Sequence, residues 1–300
     1  MGDFEESGSR LVRIGSGHHV WTRRVGRAPS KMLTLHGGPG CTHEYFEVLE
    51  DHLGKDEVEF YYYDQLGSYY SDQPDDRGLW TVERFRSEVE EVRAALGLDG
   101  FYLFGNSWGG MLGIEYALHH QEHLKGLVVS NMTASIASYV QHVNELREKL
   151  PVELVDEMLA FERAGDYDAP RYQELLTEHL YKKHICRLEP WPAPVQRCMD
   201  HLSLPVYNTM QGPNEFVVTG TFADWDRWDD LERITVPTLL VVGRHDTMRV
   251  EDIEEMGRRM PNARVHVCEN GSHMPFWDDP EDYFAALRSF MGDVESGSFG

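Results

Sequence analysis

The segment Phe101-Tyr-Leu-Phe-Gly105-Asn106-Ser107-Trp108-Gly109-Gly110 constrains the fold more than any other part of the chain. Four apolar residues read as a buried strand, and the apolar stretch from Met111 reads as a helix. A strand can pass straight into a helix within so few residues only if the positions flanking the turn carry no side chain, because a Cβ there would strike the neighbouring strand or helix. Such a turn also pushes the central side chain, Ser107, out at the carboxyl edge of a sheet.

The same strand-then-helix rhythm recurs. Apolar runs bounded by turn residues lie at Lys31 to Leu35, Val58 to Tyr63, Phe101 to Phe104, Leu127 to Val129, Pro237 to Val242 and Arg264 to Cys268, and they predict buried parallel strands. Phe85, Val89, Val92 and Leu96 place one apolar stripe on an otherwise charged helix, as a crossover packed on a sheet requires. Alternation of this kind predicts an α/β class with helices on both faces of the sheet. From about 132 to 223 the rhythm is replaced by helical spacing rich in Glu, Leu, His and Tyr, punctuated by Pro151, Pro170, Pro190, Pro192 and Pro194. The 300 residues therefore divide into one core, residues 1–131 and 224–300, and a mostly helical cap, residues 132–223, inserted between two strands. The termini, Gly2 to Ser9 and Glu295 to Gly300, are expected to fray.

A serine hydroxyl needs a base within hydrogen-bond reach and a carboxylate to hold that base in the right tautomer. Asp246 follows the apolar strand that ends in Gly243-Arg-His245, and His273 follows the strand Arg264 to Cys268. The order Ser107, Asp246, His273, together with G-x-S-x-G between strand and helix, is that of a nucleophile elbow in an α/β-hydrolase fold. Of the 15 histidines, only His245, adjacent to Asp246, rivals His273 as base. Leu35-His36-Gly37-Gly38-Pro39-Gly40 is a glycine-rich loop at a strand end, able to aim backbone N–H groups at a developing oxyanion. Gly38 and Trp108 are the expected donors; the indole of Trp108 is a candidate wall of the first side-chain pocket.

Composition removes several alternatives. A formal charge of −23 opposes any sequence-independent attraction to nucleic acid or anionic lipid. The polar amino end and the lack of about eighteen consecutive apolar residues argue against a membrane span and make the cytoplasm the default location. Cys41, Cys186, Cys198 and Cys268 show no paired spacing and are expected to be free thiols. No H-E-x-x-H, Cys/His ligand spacing or dinucleotide fingerprint appears, so neither metal nor organic cofactor is expected.

Taken together, His36-Gly-Gly-Pro-Gly40, Tyr63-Asp-Gln-Leu-Gly67, Gly105-Asn-Ser-Trp-Gly-Gly110 and Gly271-Ser-His-Met274 resemble the proline iminopeptidases. In the cap, Val206-Tyr-Asn-Thr-Met-Gln-Gly-Pro-Asn-Glu215-Phe is similar to the branch containing the tricorn-interacting aminopeptidase. The resemblance implies an exopeptidase that removes one amino-terminal residue, proline or another small or apolar one, from short peptides. By position, Glu215 would bind the substrate's α-ammonium, with Gly37 and Tyr207 beside it. Thr247 stands where that branch commonly has a second amine-binding glutamate, which leaves Thr247 as an uncharged contact or shifts the role to Glu251 or Asp252. Tyr69-Tyr70 is a further departure; the pair either walls the leaving-group side or packs under the cap. An amidase acting on amino acid amides shares the acyl half of this chemistry and is the alternative, ahead of an esterase or lactonase and of a non-catalytic binding protein. Oligomeric state is not legible.

Overall fold

The computed structural model describes residues 7–300. Eight strands form one sheet: β1 (Ser7–Arg13), β2 (His19–Val25), β3 (Ser30–Leu35), β4 (Val58–Asp64), β5 (Phe101–Asn106), β6 (Leu124–Ser130), β7 (Thr238–Gly243) and β8 (Ala263–Cys268), in the spatial order β1-β2-β4-β3-β5-β6-β7-β8. From β4 to β8 every pair is parallel; β1 and β2 form an antiparallel hairpin at one edge, and β2 pairs antiparallel with β4. The six apolar runs correspond to β3 through β8. The hairpin was not anticipated, because Arg10, Arg13, Arg23 and Arg24 interrupt any apolar run and Leu11 points to solvent.

The helices before the middle of the chain are α1 (Val48–His52), α2 (Val82–Leu96), α3 (Trp108–His120), α4 (Ile136–Glu148), α5 (Val152–Ala164) and α6 (Pro170–Leu176). After them come α7 (Lys182–His184), α8 (Ala193–Asp200), α9 (Leu204–Met210), α10 (Val250–Arg259), α11 (Pro275–Asp278) and α12 (Pro280–Ser296). Six of these, α4 to α9, lie between β6 and β7. Pro151, Pro170 and Pro192 sit at the starts of α5, α6 and α8, where the absent N–H costs nothing.

Period-2 alternation sends neighbouring strand residues to opposite faces. Leu33, Leu103, Leu127 and Leu240 join a core with Phe85, Val89 and Val92 of α2, the apolar face of α3, and Ile253 and Met256 of α10. Met32, Phe104, Val128 and Leu239 join the opposite core with Leu49 of α1 and Tyr283 and Leu287 of α12. Helix α2 is set between the Thr81 cap, whose hydroxyl accepts the Arg84 N–H, and left-handed Gly97.

The ends differ from expectation. Ser7 to Ser9 are paired in β1 with Arg23 to Val25, and Gly2 to Glu6 lie outside the described residues. At the carboxyl end the Glu295 side chain accepts hydrogen bonds from Ser30 and Tyr102, and Phe299 packs edge-on against Phe290. Packing a half-buried aromatic ring there anchors residues that composition alone marks as loose. Among the described residues no helix is long and apolar enough to cross a membrane.

Candidate active site

The loops that leave the carboxyl ends of β3, β5, β6, β7 and β8 carry His36–Gly40, Ser107, Asn131, Asp246 and His273 respectively, the edge at which open α/β sheets place their ligands. At the end of β5, Ser107 is held at φ 56°, ψ −127°, a conformation that costs a non-glycine residue of order 1–3 kcal/mol. Tight packing enforces it. A Cβ on Gly105 would fall 2.0 Å from the carbonyl oxygen of Gly109, and one on Gly109 would fall 1.9 Å from that of Leu35. The Ser107 N–H donates to the Ser130 carbonyl at 3.0 Å, which fixes the turn against β6.

His273 and Asp246 are buried and joined by a 2.7 Å contact from Nδ1 to Oδ1. The second carboxylate oxygen of Asp246 accepts from Asn131 Nδ2 at 2.6 Å. Asn131, itself at φ 58°, also donates to the Ser272 carbonyl, so one side chain fixes both the acid and the chain that carries the base. Burial opposes charging of the His273 imidazole, but the Asp246 carboxylate and its hydrogen bond, with Glu215 and Asp278 beyond, outweigh burial and raise its pKa above the ordinary value. Ser107 and His273 both line one cavity of about 550 Å³. His245 does not: its ring lies outside the lining, and its carbonyl accepts from His184 Nδ1.

The loop after β3 is braced from below. His36 is fully buried, and its Nε2 accepts the Gln65 N–H at 2.9 Å, so the ring proton sits on Nδ1, 3.0 Å from the Gly37 carbonyl. Gln65 returns a hydrogen bond to the His36 carbonyl and accepts from the Trp108 indole at 2.8 Å. Gly38, at φ 104°, faces Ser107 and Trp108 across a narrow recess. The Trp108 N–H is the first of α3 and has no acceptor within that helix.

Glu215 borders both the large cavity and the recess. Its carboxylate accepts from the Tyr207 hydroxyl at 2.5 Å, and the Tyr139 hydroxyl, which donates to the Glu215 backbone carbonyl, lies 3.2 Å from the other carboxylate oxygen. Burial, and then the Glu215 charge, push both phenols well above their ordinary pKa, which keeps them donors. The other walls of the recess are Met111, Met132, Ile136, Gln211, Phe222 and Met248.

A family model described as alpha/beta hydrolase fold matches residues 32–280. The proline iminopeptidase of Flavobacterium johnsoniae is 45% identical over 279 residues, covering 92% of this chain and 94% of its own. The chain belongs to the proline iminopeptidase family. Two solved structures are similar over nearly the whole chain: VinJ, at 34% identity and TM-score 0.91, and the proline iminopeptidase of Mycobacterium smegmatis, at 30% identity and TM-score 0.88. Each alignment covers 97% of this chain and 100% of the other.

Within the proline iminopeptidase frame several residues sit differently from expectation. Thr247 is fully buried and lines neither cavity nor recess; its hydroxyl lies 3.2 Å from Asp246 Oδ1 and 3.4 Å from His273 Nδ1, so it braces the acid and base. Glu251 and Asp252, on α10, are also absent from both linings. Gly37 lines the cavity, but its N–H donates to the Tyr45 hydroxyl at 2.7 Å and its carbonyl faces the protonated His36 nitrogen, so it shapes the wall without offering a free donor. Tyr69 stacks on His201 and Tyr70 donates to Glu44, packing against the region of α8 and away from the cavity. Trp108 turns its indole into the recess against Phe222, with ring centroids 5.8 Å apart. Cys41 and Cys198 are buried thiols in the cavity wall. Among the described residues the one cluster spaced for a metal is His266, Cys268 and Asp282; none of the three lines the cavity.

Sequence reasoning missed Tyr139, Asn131, Gln65 and Tyr45. Gln65 lies inside the Tyr63–Gly67 motif and Asn131 directly follows a strand, so both carry a positional signal; Tyr139 and Tyr45 carry none.

Proposed function

We infer that this protein is a serine aminopeptidase that releases an amino-terminal proline, or another small apolar residue, from short peptides through an acyl-enzyme. The observation that carries this reading is the carboxylate of Glu215, which accepts the Tyr207 hydroxyl and whose backbone carbonyl accepts the Tyr139 hydroxyl, at the junction of the cavity and the recess beside Ser107. A carboxylate so placed pairs with an ammonium one atom away from the scissile carbonyl, and is left unpaired by a blocked amine.

In this reading the substrate's ammonium meets Glu215, and its first side chain lies in the cavity against the mouth of the apolar recess. Ser107 Oγ attacks the carbonyl carbon while His273 Nε2 takes the hydroxyl proton, and the imidazolium that forms is stabilised by Asp246. The N–H groups of Gly38 and Trp108 hold the oxyanion. Collapse of the tetrahedral intermediate breaks the C–N bond, and His273 hands its proton to the departing amine. Water, deprotonated by His273, then attacks the ester and regenerates Ser107. The helices α4 to α9 act as a cap that admits a chain end and excludes folded protein. We place this activity in the cytoplasm, on small peptides.

The test is Glu215→Gln assayed on prolyl anilide and on p-nitrophenyl acetate. Loss of kcat/KM on the anilide of roughly 10² or more, with ester cleavage nearly intact, supports the reading; equal loss on both makes Glu215 a structural residue.

A further inference from the structure

The cavity that holds Glu215 and Ser107 must also take the leaving group. Its wall includes the apolar side chains of Ile185, Trp191, Met199, Leu202 and Leu204. Among the described residues neither a lysine nor an arginine lines it, and the additional charged group in the wall is the carboxylate of Asp168. Three basic residues on the surrounding helices are engaged in ion pairs away from it. Lys182 pairs with Glu178 and Glu189, Arg197 with Glu44 and Glu47, and Arg171 with Glu157 and Glu174. The whole chain carries a formal charge of −23, which adds a field of the same sign.

A free dipeptide bound with its ammonium at Glu215 would carry its own carboxylate about one residue, ~3.8 Å, beyond the scissile bond. That carboxylate would be drawn out of water toward an apolar wall and the Asp168 carboxylate, with no lysine or arginine in the lining to meet it. Converting it to an amide, or extending the chain so that the charge lies in solvent, removes the penalty and leaves the acyl half of the substrate unchanged.

We propose that the leaving-group half of this cavity rejects a carboxylate on the residue after the scissile bond, so that its substrates are amino-terminal residues joined to longer peptides or to uncharged amines, in preference to free dipeptides. This rests on the aminopeptidase reading above and names its substrate class.

The experiment compares kcat/KM for Pro-Leu and Pro-Leu-amide, which differ only in the carboxyl group. The amide is expected to be cleaved about 10-fold or more faster. Equal rates, or faster cleavage of the dipeptide, overturn the proposal while leaving the aminopeptidase reading standing; failure to cleave either overturns both. Leu204→Arg, at a wall position 58% exposed, supplies the missing cation. It should narrow the ratio about threefold or more through a gain on the dipeptide, and an unchanged ratio contradicts the electrostatic cause.

Discussion

Tyr207 donates its hydroxyl proton to Glu215 at 2.5 Å, and the two residues are eight positions apart, on α9 and the loop that follows it. The contact aims the carboxylate at the place where a substrate amine must lie, and Tyr139, reaching across from α4, donates to the Glu215 backbone carbonyl and fixes the main chain beneath it. Glu215 is thus oriented before substrate arrives.

Tyr207→Phe removes one of these supports and leaves the charge. A hydrogen bond to a charged acceptor contributes about 1.5–3 kcal/mol, so kcat/KM for prolyl anilide should fall roughly 10- to 100-fold, chiefly through KM. Hydrolysis of p-nitrophenyl acetate, which has no amine, should change little. Steady-state kinetics on the two substrates checks this.

The pH profile follows from the raised pKa of His273. The imidazole accepts the Ser107 proton only when neutral, so activity is lost as pH falls through its pKa and restored above it. For p-nitrophenyl acetate, which does not titrate, the midpoint of kcat/KM should lie above the ordinary histidine value of about 6.5. Asp246→Asn removes the carboxylate responsible and should lower kcat by about 10³ to 10⁴.

Thr247→Val separates bracing of the triad from recognition of the amine. The hydroxyl touches Asp246 and His273 and lines neither cavity nor recess, so kcat should fall by about 10-fold, the low end of the worth of a hydrogen bond to a charged acceptor, with KM for prolyl anilide nearly unchanged. A rise in KM alone would assign Thr247 to amine binding.

Gly109→Ala tests the turn itself. Its Cβ would lie 1.9 Å from the Leu35 carbonyl oxygen, a backbone atom that cannot swing aside. Overpacking of this kind costs about 1–3 kcal/mol or more, so Tm should drop by several degrees and Ser107 should lose its position. Calorimetry and activity together read both effects.

How much of this was legible in the sequence depends on range. Strands β3 to β7 announce themselves because each is buried on both faces over most of its length and so reads as an apolar run, whereas the edge strand β8 is half-buried and shows only through Val265, Val267 and Cys268. The β1–β2 hairpin does not, since Arg10, Arg23 and Arg24 make a half-exposed edge look like loop. Ser107, Asp246 and His273 are readable because each follows a strand, and strand ends converge at one edge of a parallel sheet. Partners set by packing are another matter. Tyr139 reaches Glu215 across 76 positions of sequence, and the direction taken by Thr247 depends on where Asp246 already points.

Central to the account is Ser107 as the nucleophile, and covalent labelling tests it most directly. The protein is treated with a sulfonyl fluoride while residual prolyl anilide cleavage is followed, and intact mass and peptide mapping then locate the adduct. One adduct on Ser107, appearing in step with loss of activity and absent from Ser107→Ala, is the result expected. Full activity with Ser107 modified, or an inactivating adduct on any other residue, would contradict the account.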